Sequence, residues 1–332
     1  MRVGLVGAGR MGTFHAQTLA SNSKVASITI FDADQARAEA LASEIGGKAV
    51  HDITGFIRKA DALVIASATD THADLIRLGS EAGLPVFCEK PISLELETTD
   101  RVLDQVDRAG IPLHIGFQRR FDEGYSKARH LVASGGLGRL YAARLATHDP
   151  NPPHPSYLKA SGGLFRDLMI HDFDIIRWTT GQEVDEVYAA GGVVTGSDEI
   201  KQLGDVDMAV VTLRLQSGAM AIISGLRHDP RGYDVRLELF GSKDSVVAGM
   251  SSRTPLRGLD DDRGATKSTE FQGFLDRFES AYREEINVFL QVASGEIDSP
   301  CSGIEARESL RIAFAAMASL RERRPVGLGE FK

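Results

Sequence analysis

Short apolar runs alternate with amphipathic stretches through the first third of the chain. Val3–Val6, Val25–Phe31, Ala62–Ala66, Val86–Cys88 and Ile111–Ile115 are short, β-branched and bounded by turn residues, the pattern of buried strands. Between them, stretches such as Asp34–Ile45, Thr71–Ala82 and Leu94–Ala109 carry apolar residues at helical spacing. Strand alternating with helix predicts βαβ units, which demand a parallel sheet with helices on both faces. The alternation stops near Phe117.

From Phe121 onward the order changes. A helix over Tyr125–Ala133 leads into a strand over Leu140–Thr147, and a further helix is expected over Gly163–Thr180. Strand-like runs then follow with little helix between them: Val187–Val194, Met208–Leu215, Ala219–Gly225, Val235–Phe240 and Ser245–Ala248. Consecutive strands of this kind predict a largely antiparallel open sheet. Helices over Phe274–Ala293 and Ile304–Arg321 close the chain, and Gly258–Thr269 reads as an exposed loop. The expected architecture is a doubly wound parallel α/β domain over residues 1–118 and an α+β domain over residues 119–332.

Composition narrows the function. The 332 residues are 42% hydrophobic and 25% charged, enough for two ordinary domains. A net charge of −8 without a long basic run argues against a nucleic-acid or membrane-surface partner, since both require a positive face. Arg119–Arg120 and Arg321–Arg324 are short clusters and read as solvated surface. Two distant cysteines, Cys88 and Cys301, suggest no disulfide framework. With no signal-peptide pattern and no apolar stretch of membrane-spanning length, a cytoplasmic protein is expected.

Gly7-Ala8-Gly9-Arg10-Met11-Gly12 directly follows the first strand and opens a helix. Glycines there permit a tight turn, approach of the backbone to a pyrophosphate and close helix–strand packing. The helix N-terminus presents N–H groups and partial positive charge to the phosphates. Asp32 ends the second strand about twenty residues later, where a ribose-binding acid belongs. A carboxylate accepts from a ribose 2′-OH and repels a 2′-phosphate, which favours NAD over NADP; Arg37 nearby is the one feature pointing the other way.

Two segments carry candidate chemistry. Glu89-Lys90-Pro91 lies at the carboxyl end of a strand, where open α/β sheets bind ligands. On a continuous helix, Asp167, His171 and Asp174 fall at i, i+4 and i+7 on one face. Ionisable groups on an otherwise apolar helix are costly to bury without purpose. An aspartate beside a histidine orients the imidazole for acid–base work; a structural Asp–His pair and a metal site are the other readings. No further His or Cys cluster at ligand spacing supports a metal.

This set of motifs, GxGxxG, EKP and Gly-Gly followed by DxxxHxxD, resembles the glucose–fructose oxidoreductase/inositol dehydrogenase (Gfo/Idh/MocA) family over essentially the whole chain. Gly116–Asp122 and Gly232–Ser242 resemble its inositol dehydrogenase branch. The resemblance implies a Rossmann domain, NAD, and oxidation of a secondary alcohol of a cyclic polyol or sugar. It implies Lys90, Asp167 and His171 as the catalytic set, and Asp174 and Tyr233 as substrate contacts, with Asp149 and Asn151 as looser candidates. Ser67, Thr69, His72 and Glu89 resemble the stretch beside the nicotinamide ribose, joining Gly7, Gly9, Arg10, Met11, Gly12, Asp32 and Lys90 in cofactor binding. A homo-oligomer, dimer or tetramer, is implied through the open face of the second sheet. The chain departs from the family pattern at Phe165-Arg166, at Leu168-Met169-Ile170 and in the proline-heavy loop His148–Tyr157. Dehydrogenation of another sugar, a non-catalytic NAD-binding regulator and a hydrolase that uses NAD transiently are the alternatives.

Overall fold

The apolar runs of the first third form one sheet. In the computed structural model, which describes residues 1–259 and 269–331, its strands are β1 (Arg2–Val6), β2 (Ser27–Phe31), β3 (Lys48–Ala49), β4 (Ala62–Ile65), β5 (Val86–Glu89) and β6 (Leu113–Gly116). They pair in parallel in the order β3-β2-β1-β4-β5-β6. Helices α1 (Arg10–Ala20), α2 (Gln35–Ile45), α3 (Ile53–Ile57), α4 (His72–Glu81) and α5 (Leu96–Ala109) connect them. In this order the chain reverses direction between β1 and β4, and the carboxyl ends of all the strands share one edge. Leu5, Ile30, Val64 and Phe87 of the sheet and Leu19 and Leu41 of the helices lie in its core.

The chain leaves this first unit at Gln118 and returns to it over Tyr282–Glu308. Ile286, Phe289 and Leu290 complete the apolar core. That segment was expected with residues 119–332; its apolar face belongs to the first core instead.

The second unit comprises Arg119–Ala281 and Ser309–Lys332. In chain order its elements are α6 (Glu123–Ala133), β7 (Leu140–His148), α7 (Pro155–Ser161), α8 (Leu164–Asp167), α9 (Ile170–Thr180), β8 (Val184–Gly192), α10 (Asp198–Gln202), β9 (Met208–Leu215), β10 (Met220–Leu226), β11 (Asp234–Gly241) and β12 (Ser245–Ala248). Parts of α11 (Phe274–Ala293) and α12 (Gly303–Glu322), and then β13 (Val326–Gly327), complete it. Its sheet runs β12-β11-β7-β10-β9-β8-β13, antiparallel except for β7 and β10. Ala143, Leu145, Ile223, Leu237 and Leu239 are buried on one face, where α9 packs on β7 and on α6. The other face exposes Tyr141, Tyr188, Met220, Ile222 and Val247. Most of Gly258–Thr269 lies outside the described residues.

The helix expected over Gly163–Thr180 is two helices, α8 and α9. At the join, the Met169 N–H donates to the Leu164 carbonyl, five residues back instead of four. Met169 is buried against β10 at Gly225, where a Cβ would come within 2.8 Å of its side chain. Asp167 and His171 are therefore not one regular helical turn apart.

Candidate active site

The first unit builds a nucleotide cradle at the carboxyl edge of its sheet. Gly7 follows β1 at φ 103°, and a Cβ there would meet the backbone of Ala66 and Ser67 at about 2.5 Å. Gly12 sits so close to the Gly7 carbonyl that a Cβ would lie 1.9 Å from its oxygen. Gly9 differs: it has ordinary extended φ, and a Cβ would meet nothing within 4 Å. The fold requires Gly7 and Gly12, whereas the space beside Gly9 lies open in front of the α1 N-terminus, as a pyrophosphate site demands. Arg10 is exposed on the first turn, and Met11 packs against the core.

Asp32 stands just past β2. Its carboxylate accepts from the Ala8 N–H at 2.6 Å and the Asp34 N–H at 2.8 Å. Each oxygen of an ionised carboxylate can accept more than one hydrogen bond, so a ribose hydroxyl can join these donors. Turn, helix terminus and carboxylate together fit a dinucleotide.

Ser67 and Thr69 follow β4 on the same edge, and the Ser67 and Thr71 hydroxyls are 2.7 Å apart. His72, expected beside the ribose, is buried. Its Nδ1 lies 2.8 Å from the Pro91 carbonyl and its Nε2 3.2 Å from that of Ser67. Burial lowers its pKa, against the pull of those carbonyls. It is a pin between the loops after β4 and β5, not an open cofactor ligand. Glu89, at the end of β5, is held through Oε1 by Nε2 of the fully buried His15, 2.6 Å away on α1. Lys90 follows it, half-buried.

The second unit gathers the remaining candidates. Because β7 and β10 run parallel, with β9 and β11 antiparallel to β10 and β7, the ends of the first two and the starts of the others share one edge. Asp149 extends β7 by one rung, donating from its N–H to Leu226 and accepting from the Asp229 N–H. Asn151 is exposed in the loop beyond. Tyr233, before β11, is buried with its ring edge-on to Phe278; burial pushes its phenol up.

Asp167 closes α8 and His171 opens α9. The Asp167 carboxylate accepts from the Tyr157 hydroxyl at 2.8 Å and from Arg227 Nη1 at 3.2 Å. Both partners escaped the sequence reading. Arg227 was detectable: Ala221, Ile223 and Gly225 alternate inward along β10, and Arg227 continues that parity onto the packed face.

Asp174 is not open to substrate. It is fully buried, and both its oxygens accept from Arg120. Asp172 beside it is buried too and accepts from Arg119 Nη1 at 2.7 Å and the Thr147 hydroxyl at 2.8 Å. Burial raises the Asp172 carboxyl despite these donors. Arg119 and Arg120 are thus buried anchors of α9, not solvated surface. They account for both acidic residues of that helix, and removing one partner of such a pair typically costs about 3–5 kcal/mol. Among the described residues no group of His, Cys, Asp and Glu is arranged to hold a metal.

Two family descriptions match the chain. That of an oxidoreductase family with an NAD-binding Rossmann fold covers residues 1–117, and that of the GFO/IDH/MocA C-terminal domain covers residues 125–247. The chain is 39% identical over 334 residues to the myo-inositol 2-dehydrogenase of Thermotoga maritima, covering 99% of both. It is 36% identical over 330 residues to the inositol 2-dehydrogenase of Rhizobium meliloti, again covering 99% of both. A solved scyllo-inositol dehydrogenase from Lactobacillus casei, with bound NAD(H) and scyllo-inositol, superposes with a TM-score of 0.90 at 27% identity over 99% of each chain.

Proposed function

The chain belongs to the GFO/IDH/MocA family of oxidoreductases, and we propose that its substrate is an inositol, one secondary hydroxyl of which it oxidises to the ketone. Bound NAD supplies the hydride acceptor. The turn Gly7–Gly12, the α1 N-terminus and Asp32 hold the dinucleotide, with Ser67, Thr69, Glu89 and Lys90 beside its reactive end. His171 removes the hydroxyl proton, which is worth about 10²–10⁴ in rate for a positioned base. Lys90 steadies the developing alkoxide, and Asp167 steadies the imidazolium. Asp149, Asn151 and Tyr233 offer hydrogen bonds to the remaining hydroxyls of a polyol.

The observation that carries the reading is that Asp167 is held as an acceptor by a buried arginine, in a chain similar over its full length to inositol dehydrogenases. We further read the protein as a cytoplasmic homotetramer. Its two cysteines, both buried and neither in a disulfide, and the exposed apolar residues on the open sheet face support that reading.

The test is NADH formation, followed by its near-ultraviolet absorbance, with NAD or NADP and a panel of myo-, scyllo- and chiro-inositol beside common sugars. Turnover of an inositol with NAD, much weaker with NADP, supports the reading. Turnover of a sugar alone moves the substrate to another branch of the family. Silence across the panel with intact NAD binding favours a regulatory protein.

A further inference from the structure

The break between α8 and α9 removes the regular turn that would have fixed Asp167 relative to His171, so the carboxylate must be oriented by something other than helix geometry. Side chains from two other elements reach it. Tyr157, from the short helix in the proline-heavy loop, donates its hydroxyl to Oδ1 at 2.8 Å, and Arg227, just beyond β10, donates Nη1 to Oδ2 at 3.2 Å. We infer that Tyr157 and Arg227 form a clamp that holds Asp167 ionised and oriented for proton transfer, making both of them positioning residues of the reaction. The inference rests on the catalytic role proposed above for Asp167.

The two arms of the clamp differ in kind. The Arg227 side chain is 1% exposed, so its charge acts on Asp167 with little screening by water. It favours the carboxylate over the acid. Tyr157 is 48% exposed and contributes a neutral donor with fixed direction. Each oxygen then has a donor of its own, which resists rotation of the carboxylate, and an ionised carboxylate oxygen accepts more than one donor. Asp205 also faces this segment, its carboxylate capping the Leu164 N–H at the start of α8. Because Tyr157 lies on the short helix Pro155–Ser161 in the proline-heavy loop, the clamp ties the order of that loop to the readiness of the base.

The test compares the full-length protein with Tyr157→Phe, Arg227→Lys and Arg227→Met. The clamp predicts that Tyr157→Phe lowers kcat several-fold with KM for the polyol nearly unchanged. It also predicts that the acid limb of the kcat/KM profile moves to higher pH. Arg227→Lys retains part of the activity and Arg227→Met far less. The side-chain carboxyl ¹³C resonance of Asp167, assigned by its loss in Asp167→Asn, should titrate at higher pH in Tyr157→Phe. That resonance is read without substrate, so a mistaken substrate assignment does not affect it. Should Arg227→Met fail to fold, Tyr157→Phe and Arg227→Lys carry the test. A Tyr157→Phe protein with unchanged carboxyl titration and unchanged acid limb overturns the clamp, whatever its melting temperature.

Discussion

The glycines of the first turn separate what the fold needs from what the ligand needs. Replacing Gly12 with Ala drives a methyl to within 1.9 Å of the Gly7 carbonyl oxygen, more than an ångström inside ordinary contact. Neither atom is the end of a flexible side chain, so α1 must shift away from the strand turn. Overpacking of this kind costs about 1–3 kcal/mol, and more where backbone must move. Gly9→Ala introduces no clash, since nothing lies within 4 Å, and alanine tolerates the native φ of −75° and ψ of −169°. The entropy gained by restricting the unfolded chain, about 0.4–1 kcal/mol, offsets the poorer helix cap that alanine makes. Its methyl nonetheless stands where the phosphates must approach. Loss of one backbone hydrogen bond to a charged group is worth about 1.5–3 kcal/mol, or roughly 10- to 100-fold in Kd. Urea denaturation and calorimetric titration with NAD measure the two effects separately. Gly12→Ala should lose stability; Gly9→Ala should keep it and lose NAD affinity. A Gly9→Ala protein that binds NAD as the parent does would refute the assignment of that open space to the pyrophosphate.

Asp32→Ser should narrow the preference for NAD over NADP by about five- to tenfold, the scale of one like-charge contact near 4 Å in water, about 1 kcal/mol; an unchanged ratio of kcat/KM values would remove Asp32 from cofactor selection. Asp174→Ala should cost about 3–5 kcal/mol in urea unfolding because it strands the buried Arg120 cation; a stable variant with a raised polyol KM would return Asp174 to the substrate site. His72 has a folded pKa below its ordinary value of about 6.5, so on acidification the unfolded chain takes up the proton first, and stability falls as pH drops below about 6.5 towards the lowered folded value. His72→Gln should therefore flatten the melting temperature against pH in that window, and an unaltered slope would show that other groups govern it.

Much of the architecture could be read from the residue pattern, because buried strands of a parallel sheet announce themselves as unbroken apolar runs. Val3–Val6 and Val86–Cys88 are such runs, and both are strands. Lys48–Ala49 and Ile53–Ile57 form a two-residue strand and a single-turn helix, too short for any period to register. Strand alternation in the second unit marked its sheet, yet β10 pairs parallel with β7. Alternation records which face is buried, not which neighbour is chosen.

The site was legible where chemistry follows from local geometry and obscure where it depends on distant partners. The Gly7–Gly12 turn and Asp32 lie together as their spacing implied. Asp167, His171 and Asp174 look like one stripe on an unbroken helix, and the five-residue hydrogen bond from Met169 to Leu164 breaks that regularity. Asp174 looked available because Arg120, more than fifty residues away, read as surface. His15 and Tyr157 gave no signal of their own: each acts on a carboxylate that the fold delivers from elsewhere in the chain.

In the proposed reaction a carbon-bound hydrogen of an inositol passes to NAD. The direct measurement is proton NMR of the NADH isolated after turnover of myo-inositol deuterated at its carbinol carbons. Hydride transfer gives a ketone product and one deuterium in each NADH formed, with both lost in His171→Ala and Lys90→Met while NAD binding persists. NADH free of deuterium, or product accumulating without NADH, would contradict it.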